Sequence, residues 1–193
     1  MEHLTDVVPA IAMGIGLAAC AGIRAWLPLL LTGGLVRAGL LGVGDDFSFL
    51  GSNRALAVFA IAALIEIAGD KLPAVDHALD LVSSLLRPAA GALLAASVIA
   101  RVSDPLTAAV LGLLVGAPSA LVPHAAKATL RGASTLLTAG VANPLLSLIE
   151  DLMSVCLFAL AVLVPLLVAG LVLLLAFFTV RRLRRRAELV AAR

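Results

Sequence analysis

One apolar run near the end of the chain, Pro144 to Val180, constrains the fold more than any other feature. Only Glu150-Asp151 and Pro165 interrupt it. About 20 apolar residues are enough to cross the hydrocarbon core of a bilayer. This run is long enough to cross with its polar start or its basic end left outside. Four further stretches have similar character. They are Val7 to Val36, Arg54 to Gly69, Leu79 to Ala100, and Pro105 to Val122. The chain is 62% hydrophobic and 13% charged, with a mean hydropathy of +1.14. Water-soluble domains are about half apolar and about a quarter charged. A single soluble core cannot hide this surplus, so lipid is the expected solvent.

The expected fold is therefore all-α: a polytopic transmembrane helical bundle of about five spans. Gly14, Gly16, Gly22 and Pro28 predict a bend or break in the first run. Pro105 suits the first turn of a helix, where its missing N–H is not needed. The segment His124 to Leu137 is short and amphipathic, and is read as an interfacial or re-entrant element. Residues 1–180 are taken as one transmembrane domain and 181–193 as a basic cytoplasmic tail. Six of the fourteen basic residues follow Thr179. In a five-span arrangement Arg37, Arg54, Arg101 and Arg181 to Arg186 share one side, opposite Lys71, Lys127 and Arg131. Cytoplasmic loops carry the excess of Lys and Arg. The C-terminus is thus expected inside and the N-terminus outside, in a bacterial inner membrane.

Leu17-Ala18-Ala19-Cys20 resembles the cleavage site of a lipoprotein signal. Such a signal starts with a basic region, whereas Met1 to Asp6 carries Glu2 and Asp6 and neither lysine nor arginine. The segment is therefore read as a retained helix with Cys20 as a packing residue. Cys20 and Cys156 lie far apart within apolar runs and suggest neither a disulfide framework nor a metal site.

Once the first run is a membrane helix, Arg24 becomes informative. An arginine near the bilayer centre costs about 2.5–3.5 kcal/mol on insertion scales, and normally faces a partner or a hydrated cavity. Candidate partners are Glu66 and Asp70, four apart on one helix face, followed by Lys71. Asp76 and Asp80 repeat that spacing. His124, Lys127 and Arg131 form one basic face, equally suited to anionic headgroups. Ser147, Glu150 and Ser154 line a stripe with Asp151 beside it. Glu150 and Asp151 also suit a helix start, where the macrodipole favours acids. Asn143 before Pro144 reads as an N-cap. Together these groups suggest a mutually neutralising polar centre. Small residues at Gly14 to Gly16 and Ala89 to Gly91 predict close helix contacts.

AGIRAWLPL (Ala21 to Leu29), EIAGDKLPAVD (Glu66 to Asp76), RPAAGALLAA (Arg87 to Ala96), HAAKATLR (His124 to Arg131) and NPLLSLIED (Asn143 to Asp151) are together fairly specific. On these stretches the chain resembles a bacterial membrane-protein family described as domain of unknown function 4126. The resemblance spans about Ile11 to Leu175 and implies a multi-span helical membrane protein without a stated activity.

Two functions compete. The first is a small channel or secondary transporter for an ion or small polar solute that uses the charged centre. The second is a non-transporting scaffold or envelope-assembly protein whose ion pairs are structural. The chain has no HExxH, GxSxG, paired-cysteine or P-loop motif, so no enzyme, metal or cofactor is expected. His77 and His124 are read as interfacial groups. Expected partners are the bilayer, anionic headgroups at the arginine tail, and the small solute or ion. Homo-oligomerisation is left open, and nucleic acid is excluded for want of a basic face in water.

Overall fold

A computed structural model describes the backbone of residues 2–70 and 73–165 and of single positions up to Arg182. It describes side chains for 6–70 and 84–165 and for some of those later positions. Every regular element is a helix among the described residues. The order is α1 (Glu2–Ile23), α2 (Trp26–Arg37), a 3₁₀ segment (Asp45–Gly51), α3 (Asn53–Gly69), α4 (Pro73–Ile99) and α5 (Pro105–Leu111). A π-helical turn (Gly112–Gly116), α6 (Ala117–Thr138) and α7 (Asn143–Leu163) follow.

α1 is the central post, packed against α4, α6 and α7. Ala12, Leu17, Ala18, Ala19 and Ala21 are buried along it. Lipid tails are as apolar as side chains, so helices here associate through close packing of small residues. At Gly22 a Cβ atom would stand 2.0 Å from the backbone oxygen of Ala120, so only glycine lets α1 lie this close to α6. Gly91 and Gly116 meet in the same way, with a Cβ on Gly116 falling 2.5 Å from the Gly91 oxygen. The small-residue runs around Gly14 and Gly91 thus do pack as expected.

The break in the first apolar run falls at Arg24-Ala25, between α1 and α2. Pro28 lies one turn later, inside the first turn of α2, where a proline fits. α5, the π turn and α6 form one continuous 34-residue helical rod, Pro105–Thr138. Its start is capped by Asp104, whose side chain accepts the Thr107 N–H at 3.0 Å. The π turn sits immediately before Pro118, whose ring crowds the carbonyl four residues back and favours local widening. Pro123 lies inside α6 without ending it. As a result His124 to Leu137 is the second half of a long helix and is not a separate element. α6 closes through left-handed Ala139 (φ 50°) and Gly140 (φ 84°).

α7 stops at Leu163, just before Pro165, since the residue preceding a proline avoids helical geometry. Three helices, Asp6–Ile23, Pro105–Thr138 and Asn143–Leu163, are long and apolar enough to cross a membrane. The 3₁₀ segment and α3, bent by 58°, make a fourth if they act as one broken span. α2 and Ser84–Ile99 are apolar but shorter.

The surface is the inverse of a soluble protein's. Val58, Ile61, Leu64 and Ile65 of α3 are exposed, as are Leu148, Leu152, Met153 and Leu160 of α7. Arg24, Arg87, Lys127 and Arg131 are buried. With lipid as solvent, apolar side chains belong outside and charges must find partners within. The chain is a helical membrane protein on this pattern.

A charged centre at a broken helix

Arg24 sits in the two-residue break between α1 and α2 and is fully enclosed. Its Nη1 donates to Asp70 Oδ2. Its Nη2 donates to Ser147 of α7, at 2.9 Å to the hydroxyl and 3.2 Å to the carbonyl. The same nitrogen lies 2.7 Å from Asp151 Oδ1 and 3.9 Å from Glu150 Oε2. Nε of Arg24 is buried and has no hydrogen-bond partner among the described residues.

Two more cations converge on the same acids from α6. Lys127 Nζ lies 2.9 Å from Asp70 Oδ2 and 3.1 Å from Glu150 Oε2. Arg131 grips Glu150 with both teeth of its fork, Nε to Oε1 at 3.0 Å and Nη2 to Oε2 at 2.8 Å. Its Nη2 also reaches Asp70 Oδ2 at 3.1 Å. A single oxygen of Asp70 therefore receives Arg24, Lys127 and Arg131 together. The centre holds three cations and three carboxylates and is formally neutral. The four-residue spacing of Lys127 and Arg131 turns both toward one point.

A second, smaller network flanks it. The Glu66 carboxylate accepts the backbone N–H groups of Ala25 at 3.0 Å and Trp26 at 3.2 Å. Ala25 supplies no side-chain cap to α2. Glu66 thus satisfies from α3 the donors that a helix start leaves unpaired, and its charge suits the positive end of that helix. Arg87 of α4 lies 3.9 Å from Glu66 Oε1, and its Nη1 donates to His124 Nδ1. Arginine has no acceptor, so Nδ1 is the lone-pair nitrogen of that ring.

These contacts sort the expected residues. Arg24 and Asp70 meet as anticipated, whereas Glu66 serves α2 and Arg87. Lys127 and Arg131 do not lie on headgroups; they turn inward because carboxylates from α3 and α7 await them. His124 leaves that face for Arg87. Glu150 and Asp151 sit two turns inside α7 and are not helix-start acids. Asn143 is the first helical residue and makes no cap; its Nδ2 donates to Thr135 Oγ1 at 3.1 Å, tying α7 to α6. The side chains of Lys71, Asp76, His77 and Asp80 lie outside the described residues, as does most of the arginine tail.

Arg87, which the sequence reading did not select, and Ser147, read only as part of a polar stripe, both belong to the site. Arg87 carried the same signal as Arg24, an arginine within an apolar run. Ser147 carried only its helical register with Glu150 and Ser154. Among the described residues no three His, Cys, Asp or Glu side chains are placed to hold a metal ion. An apolar recess of about 180 Å³ begins beyond Arg24, at Ala25 and Trp26, and runs between Phe59 and Leu93. Its lining offers nothing to bind a charge.

The family model described as Domain of unknown function (DUF4126) matches residues 11–185. No curated protein and no solved structure matches the chain.

Proposed function

This chain belongs to the family of Domain of unknown function (DUF4126), and on that premise we propose that it is a small channel or secondary transporter. In this reading it binds an ion or small polar solute at the charged centre and passes it across the membrane. The family description names no activity, so the reading rests on the site.

The observation that carries it is Arg24: a guanidinium fully enclosed at a helix break, facing acids from α3 and α7. Burying each charge costs several kcal/mol, and well-packed apolar residues usually hold helices together at least as well. Six ionised groups in so small a bundle are more than helix registration needs. Interrupted helices with buried charge are also where secondary transporters place their solutes. Glu150 and Asp151 are the most accessible members, with side chains 13% and 21% exposed.

The protein is placed in the bacterial inner membrane with its C-terminus in the cytoplasm. Lys127 and Arg131 are interior groups and drop out of the loop-charge count. Arg37, Arg54, Arg101 and the arginine tail support this orientation in the five-span reading.

The scaffold alternative draws on the equal number of positive and negative groups in the centre. Flux through proteoliposomes separates the two. A transporter loses flux when Arg24→Gln protein remains folded and monodisperse. A scaffold shows no flux in the wild type, and its thermal stability responds to no ion, amino acid or nucleotide.

A further inference from the structure

We propose that the charged centre is built for a small oxyanion of the sulfate or phosphate class, which takes the place of Asp70 as the shared acceptor while Asp70 takes up a proton. The inference rests on the reading of this centre as a solute site, and adds the chemical class of the solute.

Three observations carry it. First, Arg24 from the helix break and Lys127 and Arg131 from α6 converge on the one oxygen Asp70 Oδ2. Two arginines and a lysine around one point are the donor set that recognises an oxyanion. Asp70 supplies that point with a single oxygen, where a tetrahedral anion offers several. Second, Arg24 Nε is a fully buried donor without a partner among the described residues. A buried unsatisfied donor carries an appreciable penalty, and an anion oxygen would relieve it. Third, the charge count allows little else. With three positive and three negative groups, a bare anion would leave the centre with excess negative charge in a medium of low dielectric. One proton on the Asp70 carboxyl restores neutrality for a monoanion and halves the excess for a dianion such as sulfate.

Asp70 is the suitable acceptor for that proton by position. Arg24 faces it from the helix break, and Lys127 and Arg131 face it from α6. Glu150 and Asp151 of α7 share those cations, and Glu66 lies one turn back on α3. When the cations turn to the incoming anion, Asp70 loses its partners. Glu150 keeps both teeth of the Arg131 fork, and Asp151 remains the least buried of the acids.

The test uses the full-length protein in detergent, with sodium sulfate as probe because sulfate does not titrate near neutrality. Binding is followed by thermal stabilisation against sodium chloride of equal ionic strength. Wild type should bind sulfate more tightly as the pH falls. Asp70→Asn imitates the protonated carboxyl; it should bind about ten-fold more tightly at neutral pH, the effect of removing one charged competitor, and should lose the pH dependence. Arg131→Gln should bind about ten-fold more weakly. If Asp70→Asn does not fold, Glu150→Gln carries the same expectation of tighter binding, since Glu150 competes for the same cations.

A lipid phosphate is the other source of this chemistry. Nanodiscs of phosphatidylcholine alone and with phosphatidic acid distinguish the two. Protection of Arg24 contacts by phosphatidic acid that sulfate cannot displace assigns the site to a headgroup and upholds the oxyanion class. Weaker or unchanged sulfate binding in both neutralising variants, or stabilisation by potassium or ammonium instead, overturns the proposal. Cation flux without sulfate binding overturns it and leaves the transport reading standing. Absence of any flux or ligand removes both.

Discussion

Replacing Arg24 by glutamine tests whether the ionic centre exists as described. Arg24 contributes hydrogen bonds to Asp70 and to both oxygens of Ser147, and an ion pair to Asp151. Removing one partner of a buried pair costs roughly 3–5 kcal/mol because the other charge is left bare. Here Asp70 retains Lys127 and Arg131. The expected loss is therefore at the lower end, about 3 kcal/mol. Asp70→Asn alone should cost a similar amount, about 3 kcal/mol, since three cations lose one shared acceptor but keep Glu150 or Asp151.

If the two groups meet, their losses cannot simply add, because the shared contact is counted twice. Neighbouring groups in one network couple by about 0.5–3 kcal/mol. The double variant should be less destabilised than the sum by about 1.5 kcal/mol. Equilibrium unfolding in mixed micelles of mild detergent and dodecyl sulfate measures all four corners of the cycle. Additivity within about 0.5 kcal/mol would refute the contact and with it the centre.

Glu66→Ala strips two backbone donors at the start of α2 of their acceptor and should destabilise by about 2 kcal/mol in the same unfolding assay; a change near zero would mean that α2 caps itself. Gly22→Ala drives a methyl group into the Ala120 carbonyl and should cost about 1–3 kcal/mol, while Gly34→Ala, with open space around it, should be neutral by comparison. Cys20 is enclosed and Cys156 lies on the outer face of α7, so a water-soluble maleimide should label neither in intact membranes and both after denaturation; labelling of Cys156 in sealed vesicles would remove α7 from the bilayer. A reporter fused after Arg193 should be active only when it is of a kind that works in the cytoplasm.

Much of this molecule was legible because membrane insertion is governed by local composition. An apolar run long enough to cross must be helical, since backbone groups in lipid have no other way to be satisfied. That argument needs no knowledge of neighbours, and it identified the helical membrane class and marked Arg24 as a charge within an apolar run. The run from Pro144 to Val180 reads as one span, whereas α7 stops at Leu163, ahead of Pro165.

What the sequence could not decide is which charge meets which. The spacing of Lys127 and Arg131 showed that they share a face, but whether that face looks to headgroups or inward depends on Asp70 and Glu150, 57 and 19 residues away from their bonded partners. Glu66 and Asp70 share a helix face by sequence, yet one caps α2 and the other gathers three cations. Pro105 to Val122 and His124 to Leu137 read as separate segments, yet they form one helical rod. Local sequence determined that charges would be buried, because the surrounding residues are apolar. Only the fold selected their partners, because electrostatic pairing acts between groups that the chain brings together across long sequence separations.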